Sequence, residues 1–343
     1  MYKQSVVKLS ENIIGQIAAY IIQNSAALTS SGLFDGKAGH ALCLFEIGRL
    51  TLDEKIEDSA FQIFQEALLS KTQSITFDNG LSGIGYVLLY LIKHKHIEAD
   101  FNDLFEKQHL HIMKVIETSS YNASNISVLP YLVIYREVVK EDFVRVNKAI
   151  ESLIDNAIRE TSDFLVPEKW FGCTSKLAVV TRLNQLTQAI FRLLSLTNCK
   201  WGDHSLLATF MQQLQHLYMH SYVALDMETF YYIHVICSRY DIDITFPDIP
   251  IEIDSIELST MNLSKIINLH ILHHLDSSML RPDTPLPFDA LDDTIIEDCI
   301  YRFIGSNNLL CTYDSGLLRI MIYYALLHDS KHECKEKYLE LLA

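Results

Sequence analysis

Two stretches of the sequence open apolar runs in the same way, GLFDGKAG at residues 32–39 and FDNGLSGIGY at residues 77–86. Gly36 in the first stretch and Gly80 in the second stand 44 residues apart. Glycine is costly inside a helix because it loses the most backbone entropy, so glycines at two helix starts indicate close backbone packing there. The chain is therefore a repeat, and its unit is a helical hairpin of about 45 residues.

Weaker copies of the unit follow at the same step. Apolar runs recur at residues 130–135 and 177–180, and a last one follows residue 313. Hydrophobic inner helices favour a closed ring over an open solenoid, because both faces of such helices must be covered. We expect inner helices to begin near Gly36, Gly80, Asn125, Ser175 and Asp314. We expect outer helices near residues 53–70, 101–117, 141–160 and 289–304.

Five of the seven prolines fall in two segments, which we expect to be irregular loops at residues 241–255 and 276–287. The first segment alternates apolar and polar residues from Ile242 to Ile253. Such alternation is typical of a short strand or an extended plug.

The glycine-rich starts resemble those of the lanthionine synthetase C-like family, most closely its bacterial members from peptide-maturation gene clusters. The likeness lies in Gly-Leu-x-x-Gly-x-Ala-Gly at the first start and Phe-x-Asn-Gly-Leu-x-Gly-Ile-Gly at the second. It is good over residues 30–110 and fair over residues 120–185. The resemblance implies an all-α fold, an α/α toroid of about six to seven helical hairpins that forms one domain over residues 1–343.

Active members of that family are similar zinc enzymes, and their motifs are missing here. In them, Trp-Cys-Tyr-Gly and Cys-His stretches bind zinc, which activates a peptide thiol for thioether formation, and the histidine of a Gly-Leu-Ala-His-Gly stretch is the acid/base. This chain has no Cys-His and no His-Gly dipeptide. Alignment on Gly172 puts Ser175 at the histidine. The register of Gly202-Asp203 puts Lys200 at the first cysteine, and the register of Asp226 puts Val223 there; neither would ligate zinc. A one-residue slip brings in Cys199, which restores one ligand of three. We therefore expect no cofactor.

Two further groups of residues have metal-ligand chemistry. His270, His273 and His274 lie on one face of an expected helix, at a spacing that can bind a metal. The alternative is a polar stripe on an apolar helix. His234 and Cys237 stand three apart and form either a remnant ligand pair or a buried histidine beside a small apolar cysteine. We favour the structural interpretation for both groups.

Polar residues near the inner-helix starts are the candidates for the binding cleft. Asp35 and Asp78 each precede a start, where capping or turn formation is the favoured interpretation over catalysis. The full set is Asp35, Asp78, Asn79, Ser175, Lys200, Asp203, Asp226 and Asp314.

Composition limits the location and the partner. The seven cysteines are an odd number without regular spacing, and no secretory leader precedes them, so we expect a reducing, cytoplasmic compartment. The formal net charge of −15 disfavours nucleic acid and anionic membranes and permits a basic partner.

Together these features predict a non-catalytic toroid that binds a peptide or a modifying enzyme in a peptide natural-product maturation pathway. The alternative is a lanthionine-type cyclase, or another enzyme that uses a rebuilt cleft, with or without a metal. A purely structural interaction protein is the third class.

Overall fold

A computed structural model describes most of the first three quarters of the chain and part of its end. The described residues are 9–119, 123–197, 203–220, 222–225, 227–244, 267–268, 300–301, 304, 311–313 and 316–328. All regular structure among them is helical, without a strand, so the all-α prediction is confirmed for this part of the chain.

The described residues form the following helices, numbered in chain order. They are α1 (Glu11–Ser25), α2 (Lys37–Thr51), α3 (Glu54–Leu68), α4 (Leu81–Lys93), α5 (Phe101–Thr118), a 3-10 helix (Ala123–Val128), α6 (Leu129–Val138), α7 (Phe143–Ser162), α8 (Pro167–Gly172), α9 (Lys176–Thr197), α10 (His204–Met219), α11 (Met227–Tyr240) and α12 (Leu317–Leu327). None of the helices in the described ranges is both long enough and apolar enough to cross a membrane.

The helix starts agree with the repeat. Helices α2 and α4 follow Gly36 and Gly80, and α9 follows Ser175. The last start is displaced by two residues, because α12 begins after Gly316, whose extended backbone resembles that of Gly80. Near the third start, the 3-10 helix comes first and α6 begins at Leu129.

Pro130 explains that difference at the third start. A proline is tolerated in the first turn of a helix, where its missing N–H leaves no hydrogen bond unmade, but it would break a longer helix. The continuous α-helix therefore begins beside Pro130. The outer helices α3, α5 and α7 match their expected positions, whereas only three residues of the segment near 289–304 are described, all helical.

The helices α2 and α4, expected to be inner helices, differ in burial from α3, which is expected to be an outer helix. Helix α2 is buried continuously over residues 38–48, and α4 over residues 81–91. Helix α3 instead buries one stripe and exposes its other face. Continuous burial means that neighbours cover a helix on all sides, which is the environment expected of an inner helix.

Contacts divide the protein into two compact units. The first comprises Met1–Gln108, Ile251–Asp276 and Leu286–Leu342, and the second mainly His109–Pro250. In the first unit, α2 packs against α1, α3, α4 and α12. In the second, α7 packs against α6, α9 and α10, and α9 packs against α11. The closed ring and the single domain stay predictions, and of the two expected loops only residues 241–244 are described.

Two glycines at the same position of successive repeats, Gly39 and Gly83, make the same backbone contact. A Cβ atom at Gly39 would lie 2.0 Å from the carbonyl oxygen of Leu33, and one at Gly83 would lie 2.1 Å from that of Phe77. Each helix therefore packs its first turns directly against the backbone of the loop that precedes it. No residue larger than glycine fits at either place without moving the backbone.

A histidine and two tyrosines form a buried contact in the second unit. His109 Nδ1 and the Tyr131 hydroxyl lie 2.7 Å apart, and the His109 ring stacks on Tyr135 at a centroid distance of 3.9 Å. Burial lowers the pKa of His109 to about 4 and raises the pKa of Tyr131. The imidazole is therefore neutral near pH 7.

We expect Gly83→Ala to lower the free energy of unfolding by about 2 kcal/mol or more, because the added methyl group would overlap the Phe77 carbonyl. Gly15 in α1 provides a matched control, since no described atom would lie within 4 Å of its Cβ. Gly15→Ala should raise stability by about 1 kcal/mol through helix propensity. Urea denaturation measures both, and equal effects would contradict the close packing at Gly83.

We also expect His109 to make folding stability fall in acid. Its pKa is 6.5 when unfolded and about 4 when folded, so between these values the unfolded chain binds a proton that the folded chain does not. The contribution of His109 to the free energy of unfolding is complete above pH 6.5. It is lost as the pH falls through about 4, and the total loss is about 3 kcal/mol. His109→Phe keeps a ring against Tyr135 and cannot titrate. Urea denaturation across this range should give a shallower pH dependence for the variant, and identical slopes would exclude the effect.

Candidate functional site

Three helix starts lie side by side in the first unit. The loop before α2 contacts the loop before α4, since the N–H groups of Leu33 and Phe34 both donate to the carbonyl of Asp78 at 2.8 and 2.9 Å. The residues before α12 join them, because Tyr313 N–H donates to the Phe34 carbonyl at 2.9 Å. We call residues 30–36, 74–80 and 311–313 the start cluster.

Aromatic rings hold the start cluster together. The Phe34 ring stacks on Tyr313 at a centroid distance of 6.1 Å and meets Phe77 edge to face at 6.2 Å. Phe77 in turn meets Tyr86 of α4 at 5.1 Å. Gly32 packs so closely that a Cβ atom there would lie 2.3 Å from Asn79 Cα. The cluster is thus built from backbone contacts and rings, which leave it little freedom to move.

Asp35, Asp78 and Asn79 come together at this cluster. Asn79 Oδ1 accepts hydrogen bonds from the Asp35 N–H at 3.5 Å and the Ser30 hydroxyl at 3.4 Å. Asp35 and Asn79 are exposed, and Asp78 is half-buried. Gly36 and Gly80 occupy the N-cap positions of α2 and α4, so Asp35 and Asp78 stand one and two residues before these caps. The hydrogen bonds to the Asp78 carbonyl agree with the turn formation expected of these residues.

Two charged or titratable side chains adjoin the start cluster. The Lys37 ammonium pairs with Glu66 of α3, so this cation is neutralised locally. His40 is fully buried, and its Nδ1 lies 3.0 Å from the Gly36 carbonyl. Burial lowers the pKa of His40, and the Gly36 carbonyl and the Asp35 charge partly offset this change. Asp35 therefore remains the exposed charge at this edge of α2.

The structure describes two candidates for the binding cleft in the second unit, Asp203 and Ser175. Asp203 is the N-cap of α10 and accepts from the amides of Ser205 and Leu206 at 2.8 and 3.2 Å. Ser175 is exposed immediately before α9. Three other candidates, Lys200, Asp226 and Asp314, lie outside the described residues.

Among the candidate metal ligands, the structure describes one pair, His234 and Cys237. Cys237 is buried, which raises its pKa to about 12, and the half-buried His234 packs on Phe230 at a centroid distance of 4.7 Å. Within the described ranges, no group of three or more His, Cys, Asp or Glu side chains is placed to hold a metal ion. Cys199, His270, His273 and His274 lie outside the described residues.

A buried polar cluster at the far ends of α2 and α4 was missed by the sequence analysis. The Glu46 carboxylate, 1% exposed, accepts from the Tyr90 hydroxyl at 2.7 Å and pairs with His96 Nε2 at 2.8 Å. Glu46 and Tyr90 are 44 residues apart, so the repeat step itself could have signalled the contact. The His96 side chain is only 2% exposed, which leaves a substrate no access to it. These contacts tie two repeats together, because Glu46 lies in α2 and Tyr90 in α4.

We expect the buried thiols to react slowly in the folded protein. Burial raises the pKa of Cys237 to about 12 and that of Cys311 to about 11, and Cys43 is shifted upward as well. Since the thiolate is the reactive form, iodoacetamide near neutral pH should label half-buried Cys173 well before Cys237. Peptide mapping by mass spectrometry follows each site, with urea-unfolded protein as the control. Equal rates for Cys173 and Cys237 in the folded state would show an activated thiolate.

Comparisons with known proteins add no relative. No protein-family model matches the chain, and no curated protein or solved structure matches it. The likeness to the lanthionine synthetase C-like family therefore rests on the glycine-rich starts alone.

Proposed function

We propose that the chain is a lanthionine synthetase C-like toroid that binds a peptide or protein partner in a peptide natural-product maturation pathway, in the cytoplasm, without the zinc chemistry of active relatives. The observation that carries this proposal is the start cluster. It presents exposed polar groups of the first repeats on a framework of glycine contacts and stacked rings.

The rigidity of the cluster favours binding. A surface that is ordered before its partner arrives loses less conformational entropy on association. Leu33, Phe34 and Tyr313 are fixed by backbone hydrogen bonds between three separate chain segments. Side chains mounted on such a framework keep their positions in the free protein.

The charge of the cluster favours a basic partner. Asp35 is exposed, Asp78 is half-buried, and the adjoining Lys37 is already paired with Glu66. The net charge of −15 acts in the same direction over longer distances, by attracting cations during the encounter. A leader peptide or a modifying enzyme with lysine- or arginine-rich segments meets this requirement.

The described residues offer little to a thioether-forming reaction. His40, the histidine nearest the first start, has no exposed surface, and Ser175 has no base bonded to it within the described chain. The buried thiols hold their protons near neutral pH. Binding is therefore the role that this geometry supports best.

We expect a fluorescein-labelled decapeptide of alternating lysine and glycine to bind, and its glutamate counterpart not to bind. Asp35→Asn and Asp78→Asn should each weaken binding by about two- to fivefold, the range of exposed charge pairs. Asp58→Asn is the matched control, since Asp58 is an exposed aspartate of α3 in the same unit. Fluorescence anisotropy measures affinity, which should fall with added salt.

Two outcomes would contradict the proposal. Binding that Asp58→Asn weakens as much as Asp35→Asn would place the contact away from the start cluster. Thioether formation from a dehydrated, cysteine-containing peptide, faster than the uncatalysed control, would establish the cyclase alternative. Loss of that activity in Ser175→Ala would then identify the rebuilt site.

A further inference from the structure

An exposed pair of aromatic rings lies in the second unit, beside the start of α9. Phe171 is 59% exposed and Tyr222 is 39% exposed, and their rings meet edge to face at a centroid distance of 4.8 Å. Beneath them Trp170 is 3% exposed, and its indole N–H donates to the Tyr222 carbonyl at 3.0 Å. The buried indole therefore fixes both exposed rings.

A cation completes this surface. Lys176 Nζ lies 5.7 Å from the Trp170 ring centroid and 5.9 Å from that of Phe171, within the range of cation–π attraction. We call Phe171, Lys176 and Tyr222 the aromatic patch. The next residue, Leu177, is 79% exposed and extends its apolar area.

Lys176 differs from the neighbouring cation in having no acidic partner. Lys169 Nζ lies 3.6 Å from Asp163, whereas no carboxylate of the described chain pairs with Lys176. The amides of Lys176 and Leu177 also have no acceptor among the described residues. The Lys176 ammonium, these two amides and the positive end of the α9 dipole bring positive charge to the aromatic patch, although the protein as a whole is acidic.

We propose that the aromatic patch is a docking surface for an acidic peptide segment that carries an apolar side chain beside a carboxylate. The apolar side chain packs on the exposed faces of Phe171 and Tyr222, and the carboxylate accepts from Lys176. Charge complementarity selects this occupant, because a basic segment would bring a second cation against an unpaired ammonium. Aromatic side chains such as Phe171 and Tyr222 are also enriched at protein interfaces. This proposal rests on other residues than the basic-peptide contact proposed above and does not depend on it.

Binding of a fluorescein-labelled peptide, Gly-Ser-Phe-Asp-Asp-Phe-Ser-Gly, tests the proposal by anisotropy. Phe171→Ala and Lys176→Glu should each weaken binding at least about tenfold, and Lys176→Arg should stay within about twofold of the parent. Phe143→Ala is the matched control, since Phe143 is 44% exposed and lies under the Arg136 guanidinium at 4.7 Å, in the same unit. That variant should bind like the parent. Because Phe171 and Lys176 are exposed, circular dichroism should show unchanged helix content in all variants.

Several results would overturn the proposal. One is absence of binding by the parent, and another is equal binding by the parent, Phe171→Ala and Lys176→Glu. Preference for the peptide with lysine in place of aspartate would exclude an acidic occupant. Sedimentation that shows a dimer lost in Phe171→Ala would mean that a second copy covers the patch. Asp35→Asn should leave binding of the acidic peptide unchanged, so this experiment can fail or succeed whatever the outcome at the start cluster.

Discussion

The first unit depends on helices that pack against the backbone of their own preceding loops. At Gly39 and Gly83 the helix comes so near the carbonyls of Leu33 and Phe77 that only a hydrogen atom fits between them. Because of this close contact, each loop folds over the first turn of its helix. Successive loops then come within hydrogen-bonding distance of one another. The bonds to the Asp78 carbonyl, the ring contacts of Phe34 and the placement of Asp35 beside Asn79 all follow from it.

Much of this arrangement of helices and loops could be predicted from the sequence, because it depends on residue types and their spacing. Glycines 44 residues apart mark α2 and α4, and apolar periodicity marks the outer helices. The Glu46–Tyr90 contact has the same spacing, but a lone glutamate in an apolar run does not reveal which hydroxyl will face it. That pairing depends on how neighbouring helices turn about their axes, a property that no local pattern encodes.

The sequence was less informative about individual polar side chains. Asp203 is the N-cap of α10, and Asp35 stands one residue before the N-cap of α2, although both precede helix starts. The difference lies in the next residue, because Gly36 takes the N-cap position itself and leaves Asp35 one place outside. The aromatic patch was missed for a related reason. Trp170 and Phe171 are adjacent aromatic residues, and only the three-dimensional fold shows that one is buried while the other is exposed.

Helix α12 packs against α2, and the Tyr313 N–H donates a hydrogen bond to the Phe34 carbonyl. Segments far apart in the sequence therefore form one packed unit. At roughly 5–20 residues per second, the ribosome needs roughly 15 to 50 s to synthesise the chain between these helices. Throughout that time the face of α2 that meets α12 lacks its cover, and its apolar residues are available to chaperones or to other nascent chains. The first repeats can form their hairpin early, but the first unit reaches its native packing only after α12 has left the ribosome.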